Sequence, residues 1–134
     1  MTDLLSGAVM EALRADGIPA LPEYPLRPVP AVPFYVTAAC AETVYGAPLE
    51  SFFGDALPFT MTLRLRYHCK PDADFAAHAD RTDACIIRTM QQKHADLRSM
   101  KNGALHYDRQ LGVCIRETLL QISGTLYLTE EESV

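Results

Sequence analysis

A chain of 134 residues, 49% of them hydrophobic, can bury one real core, so a single domain spanning residues 1–134 is expected. A net charge of −5, from 12 basic and 17 acidic residues, speaks against nonspecific nucleic-acid binding, which needs many Lys and Arg against phosphate. The opening MTDLLSGAVM lacks a basic leader, and no stretch approaches the ~20 apolar residues of a membrane span, so a cytosolic protein without membrane contact is expected.

In chain order, Thr2–Asp16 reads as an amphipathic helix. Leu4, Leu5, Ala8, Val9, Ala12 and Leu13 recur at three- and four-residue spacing, Thr2 or Asp3 can cap the start, and Gly17 stands where a left-handed residue ends a helix. Ile18–Pro33 then holds six prolines. Each lacks a backbone donor, so no helix crosses this segment and no central strand uses it; an extended connector is expected. Pro25-Leu26-Arg27-Pro28 matches a PxxP pattern, which is common by chance.

Phe34–Val44 is strand-like, Gly46-Ala47-Pro48 marks a turn, and Leu49–Phe53 is a short apolar run that periodicity cannot assign to strand or helix. The clearest element is Phe59–Cys69. Phe59, Met61, Leu63, Leu65, Tyr67 and Cys69 share one parity, and Thr60, Thr62, Arg64, Arg66 and His68 share the other. Side chains alternate along a strand, so this is a ribbon with one oily and one polar face. Lys70–Asp74 is a turn in which Asp72 or Asp74 can cap a helix from about Phe75 to His94. Its apolar stripe is Phe75, Ala79, Ile86 and Met90, widened by Ala76, Ala84 and Ile87. A long strand feeding such a helix places the helix over the oily face of the sheet.

Asp96–Gly103 is polar and ends in the turn dipeptide Asn102-Gly103; residues 108–112 read as a hairpin loop between Ala104–Tyr107 and Val113–Ile115. The chain is strand-like from Val113 to Leu128, but its apolar parity switches from odd (Val113, Ile115) to even (Leu120, Ile122). A β-bulge or turn near Arg116–Thr118 would account for the switch. The tail over residues 129–134, with three consecutive glutamates, is expected to fray. The sum is an α+β domain: a mostly antiparallel sheet of four to five strands, an N-terminal helix, and a second long helix packed on one face.

The residues carry no catalytic motif. His68 and Cys69 are adjacent and point to opposite faces of a strand; His78, His94 and His106 are scattered, with no HxxxH or HExxH. The seven glycines never cluster into a phosphate loop, and no GxSxG is present. Cys40, Cys69, Cys85 and Cys114 form no CxxC and read as reduced, core-facing thiols. Asp72, Asp74, Asp80 and Asp83 suit a helix start. No metal, cofactor or catalytic residue is therefore assigned. Arg64 and Arg66 share a strand face that is either solvated or offered to an acidic partner surface or to nucleic acid.

The layout resembles the tail-terminator, or tail-completion, proteins of long-tailed bacteriophages and prophages. The resemblance lies in MTDLLSGAVMEALRADG, in FTMTLRLRYHCKPDADFAAHADRTDACIIRTM and in LHYDRQLGVCIRETLLQISGTLYL, as a pattern of elements rather than a motif. It implies a non-enzymatic structural protein of the bacterial host cytoplasm and the virion tail. Such a protein forms a ring with itself, usually a hexamer, on the last ring of the tail-tube protein, stops tube polymerisation and meets the head-tail connector. A ring needs a head-to-tail interface that closes. Phe52, Phe53 and Leu57 are its candidate apolar contacts, and the face bearing Arg64 and Arg66 is a further candidate for a neighbour or a lumen. Two other readings stay open: an acidic dimeric secretion-type chaperone, and a small α+β ligand-binding domain or enzyme with a deep pocket between helix and sheet.

Overall fold

The structure, a computed structural model, describes residues 2–23, 30–47, 55–93 and 95–128. The PxxP match, the apolar run with Phe52 and Phe53, His94 and the acidic tail lie outside these residues.

Helix α1 (Thr2–Ala15) ends where its sequence says it should. Gly17 takes a φ of 81°, Ile18 N–H donates to the Leu13 carbonyl at 2.8 Å, and Gly17 N–H donates to that of Arg14 at 3.0 Å. These two bonds satisfy carbonyls that the helix leaves orphaned, and they turn the chain back toward the sheet. Val9 and Leu13 are fully buried.

The connector does more than span. Its Ala20–Pro22 forms a short strand, β1, parallel to β2 (Phe34–Tyr45). Ile18 and Ala20 are buried, so this part of the segment belongs to the core. Proline is admitted because β1 is an edge strand.

Strand β2 pairs antiparallel with β3 (Asp55–Cys69), which pairs antiparallel with β6 (Val113–Leu128). Strand β4 (Asp96–Asn102) and the three-residue β5 (His106–Asp108) both pair with the far side of β6. The sheet thus has six strands, in the order β1-β2-β3-β6-β4 with β5 beside β6; all pairings but the first are antiparallel. The strands beyond the expected four to five are the very short ones. The polar stretch 96–102 is a strand, which its composition hides because it lies at an edge.

Pro58 sits inside the central β3. Its carbonyl accepts from Gly46 N–H at 2.7 Å, so its donor-less nitrogen also faces the β2 side. The β2 ladder stops one residue away, at Tyr45 opposite Phe59. The bond Pro58 cannot give is the return bond to Gly46, and the ladder ends at that position.

Asp74 caps α2 (Phe75–Gln92), its carboxylate accepting from Ala77 N–H. The buried face of α2 is Ala79, Thr82, Cys85, Ile86, Thr89 and Met90. Ala76, Ala84 and Ile87, expected to widen the stripe, are exposed instead. Two threonines take that width. Thr82 and Thr89 donate to the carbonyls one turn back, at 2.8 and 2.7 Å, and so bury a satisfied hydroxyl. Both helices lie on the face of the sheet that carries Phe34, Val36, Ala38, Met61, Leu63, Leu65, Leu120 and Ile122.

No bulge marks Arg116–Thr118. The β3–β6 register runs unbroken from Asp55 opposite Leu128 to Cys69 opposite Cys114. The apolar parity switches because the faces themselves change character. On the helix side, positions 116 and 118 carry a buried polar network, and on the open side Val113 and Ile115 are buried, Ile115 opposite His68. Register shifts occur elsewhere, between Cys40 and Glu42 and between Leu97 and Ser99. Among the described residues, no helix is long and apolar enough to cross a membrane.

Candidate functional site

Alternation along β3 sends Arg64, Arg66 and His68 to the open face, as expected from their parity. Arg64 donates Nε and Nη2 to Glu23, with contacts of 2.9 to 3.1 Å, and Arg66 Nη1 donates to the same carboxylate at 2.9 Å. Arg66 Nε also faces Glu117 at 3.5 Å. Glu23 is only 8% exposed, so this carboxylate is shared by two guanidiniums away from bulk water. Four side chains from β1's end, β3 and β6 therefore form one neutral lattice. The stripe of two arginines is already answered by two acids, which leaves it little charge for phosphate.

His68 lies next along the same face. It stacks on Tyr35 with ring centroids 4.3 Å apart and planes 3° apart. Its Nε2 is 3.3 Å from the Thr37 hydroxyl. Both rings are buried, and His68 Nδ1 has no partner among the described residues. Burial, then the nearby Arg66 guanidinium, pushes the imidazole down to about 4, against smaller opposite pulls from Asp108 and Glu23. Burial, then Asp108, raises the Tyr35 phenol. His68 is thus a neutral packing residue at neutral pH.

On the helix side a second polar group is enclosed. Asp83 of α2 accepts from Tyr67 Oη at 2.6 Å and from Arg116 Nη2 at 2.9 Å. Arg116 also donates to Thr118, whose hydroxyl bonds Asn102 of β4. The guanidinium lies 4.6 Å over the Tyr67 ring and 5.5 Å from that of Phe75. Burial, then the bond to Asp83, raises the Tyr67 phenol far above its usual range. The network ties α2, β3, β6 and β4 together and leaves the buried Arg116 Nε with no hydrogen-bond partner among the described residues.

Among the described residues, no three His, Cys, Asp or Glu side chains are placed to hold a metal ion. A groove of about 580 Å3 lies where β2 ends, lined in part by Val44, Pro58, Thr60, Asp96, Arg98 and Ser123.

Apart from Ile87 on α2, the large exposed apolar side chains among the described residues stand at two corners. Val44 and Tyr45, more than half exposed, stand at the end of β2 opposite Thr60 and Phe59. Leu105, Tyr107 and Leu111 are similarly exposed around β5, whose partners on β6 face His68 and Cys69. Ten positions of β3 separate these levels, roughly 30 Å at strand rise, and the two groups sit on opposite sides of β3. Leu57, a sequence candidate, is half-buried near the first corner. Arg64 and Arg66 belong to neither corner, and Phe52 and Phe53 lie outside the described residues.

Sequence reasoning missed Glu23, Asp83, Arg116 and the two corners. Glu23 lay hidden in the proline segment, and Asp83 among helix acids. The corners consist of single apolar residues in turns and strand ends, which carry no periodicity. A signal did exist at Arg116: a basic residue where an oily parity fails. No protein-family model matches this chain, and no curated protein matches it.

Proposed function

We propose that this chain is a non-enzymatic structural protein of a phage or prophage, resembling tail terminators, that assembles head-to-tail into a ring on the end of a tail tube. There it stops polymerisation and presents a surface to the head connector. The observation that carries the reading is the pair of separate apolar corners at diagonally opposite ends of one sheet. Two different patches on one molecule favour a heterologous contact, and such a contact either closes into a ring or runs on as a filament. The layer between helices and sheet is filled by Tyr67, Ile86, Met90 and Leu120, so the exposed surface is where the module meets other molecules.

The free edges support the corners over strand addition. The outer edge of β2 beyond Ala38 has no partner strand among the described residues, nor has the outer edge of β4. Each carries a register shift and charged side chains, Glu42 on one and Arg98 and Lys101 on the other. Such edges are blunted against pairing.

The test is light scattering and negative-stain microscopy of the purified chain, alone and with a tail-tube protein encoded beside it. Rings in either condition, seated at tube ends when tubes are present, are expected. A tight dimer, or a monomer that ignores tubes, overturns the reading.

A further inference from the structure

We propose that Cys69 and Cys114 are a redox-active pair that closes to a disulfide by exchange with a small-molecule disulfide such as oxidised glutathione. The two residues are directly opposed in the β3–β6 ladder and project to the same, helix-bearing face. The backbone pattern gives their spacing. The Glu117 carbonyl accepts from Gly103, so Glu117 directs its backbone groups away from β3. Alternation then turns the backbone groups of Cys114 toward β3, and Cys69–Cys114 is a hydrogen-bonded pair. Opposed residues of that kind have Cα atoms ~5.5 Å apart, inside the ~4.4–6.8 Å that a disulfide spans. Their Cβ atoms are also near ~5.5 Å, beyond its ~3.5–4.5 Å, so the bond closes only as the two strands draw together and is strained and readily reduced.

The two thiols are not equivalent. Cys69 is buried, and its Sγ lies 3.5 Å from the Lys70 carbonyl; Cys114 is partly exposed. Burial, then the neighbouring Cys114, raises the Cys69 thiol, which keeps it protonated. Cys114 is therefore the entry thiol. Its thiolate attacks one sulfur of oxidised glutathione, forms the mixed disulfide and releases one glutathione thiolate, which takes up a proton. Cys69 then loses its proton to solvent and attacks the Cys114 sulfur. The protein disulfide forms and the second glutathione leaves. Overall, two protein thiols are oxidised and one glutathione disulfide is reduced to two thiols. Of the other cysteines, Cys40 sits at the β2 register shift and Cys85 faces the Ala12 carbonyl across α1 and α2; neither opposes a cysteine.

The experiment incubates the folded full-length chain in glutathione buffers of increasing oxidised fraction, blocks free thiols by alkylation, and reads intact mass and peptide maps. Expected is a species carrying two alkyl groups fewer than the fully alkylated reduced chain, in which Cys69 and Cys114 peptides are linked and dithiothreitol reverses the link. Cys114→Ser should abolish this species entirely, and Cys40→Ser should leave its yield unchanged. A stable glutathione adduct on Cys114 with Cys69 still free, a link between chains instead of within one, or full alkylation at every buffer ratio overturns the proposal. Each variant's circular dichroism before oxidation shows that it is folded.

Discussion

At Arg116 and Asp83 the fold departs from what an oily strand face would predict, and the energetics show why it holds. Both side chains are largely buried, Arg116 at 12% and Asp83 at 22% exposed. Removing the charge from one side leaves the other enclosed and unanswered. Asp83→Asn is therefore expected to cost about 2–4 kcal/mol, near the range for breaking a buried pair but discounted for partial exposure. Tyr67→Phe removes one bond and leaves the ion pair, so it should cost about 1 kcal/mol. Urea denaturation of both variants and of the double variant checks this; strict additivity would mean that the three groups are not one network. His68 makes a second case. Its folded-state value is lowered from 6.5 to about 4, so the unfolded chain binds the extra proton first as pH falls. The stability it contributes is complete above 6.5 and is lost as pH drops through that window. His68→Gln should therefore flatten the decline in melting temperature between pH 6.5 and 4 relative to the wild type, while Asp and Glu titrations remain common to both. Equal slopes would show that His68 does not carry the effect. Neither site was legible in the sequence. The two partners of the Asp83–Arg116 pair are 33 residues apart, and Glu23 lies 41 from Arg64. Local pattern carries no information about such meetings.

Elements were read better than residues because burial acts on them periodically. The alternation from Phe59 to Cys69 is a period-two ribbon in the sequence, and its odd positions are all buried in the fold, with His68 the one even position that joins them. The cap and stop signals of the helices worked for the same local reason: Asp74 and Gly17 act on backbone groups within a few residues. Asp74→Ala should thus cost about 1 kcal/mol and fray the first turn of α2, seen as faster amide exchange at residues 75–77 with the sheet unaffected. Global unfolding would mean that α2 is held by its cap more than by its packing. Ile86→Asp is the opposite case. Ile86 is fully buried between α2 and the sheet, so an aspartate there should unfold the domain outright, beyond 4 kcal/mol. Elements with weak periodicity were misread. β4 is a polar edge strand, β1 is three residues long, and Thr82 and Thr89 fill a stripe that hydropathy would assign to alanine and isoleucine. In each, a backbone or hydroxyl bond replaces apolar burial as the organising interaction.

For the whole molecule the question is how two separate corners could build an assembly, and the answer separates symmetric from head-to-tail association. Tyr45 and Tyr107 are each about half exposed, 52% and 55%, so an aspartate at either position should leave the fold intact. If the corner at the end of β2 docks onto the β5 corner of the next copy, Tyr45→Asp spoils one half of every contact and Tyr107→Asp the other half. Each variant alone is then a monomer under the conditions in which the wild type forms rings. Mixed in equal amounts, however, each variant lends the corner that the other lacks. One intact contact forms per pair, and both remaining corners are spoiled. The mixture should therefore stop at a dimer, with one molecule of each variant by native mass spectrometry. A two-fold contact of one corner with its own copy gives a different result: one variant assembles as the wild type does, the other stays monomeric, and mixing yields no heterodimer. Rings from both variants alone would place the interface away from the corners altogether. The two corners lie on different strands at opposite ends of the sheet, so one can meet the other corner of the next copy without either meeting itself, which makes the first outcome the expected one.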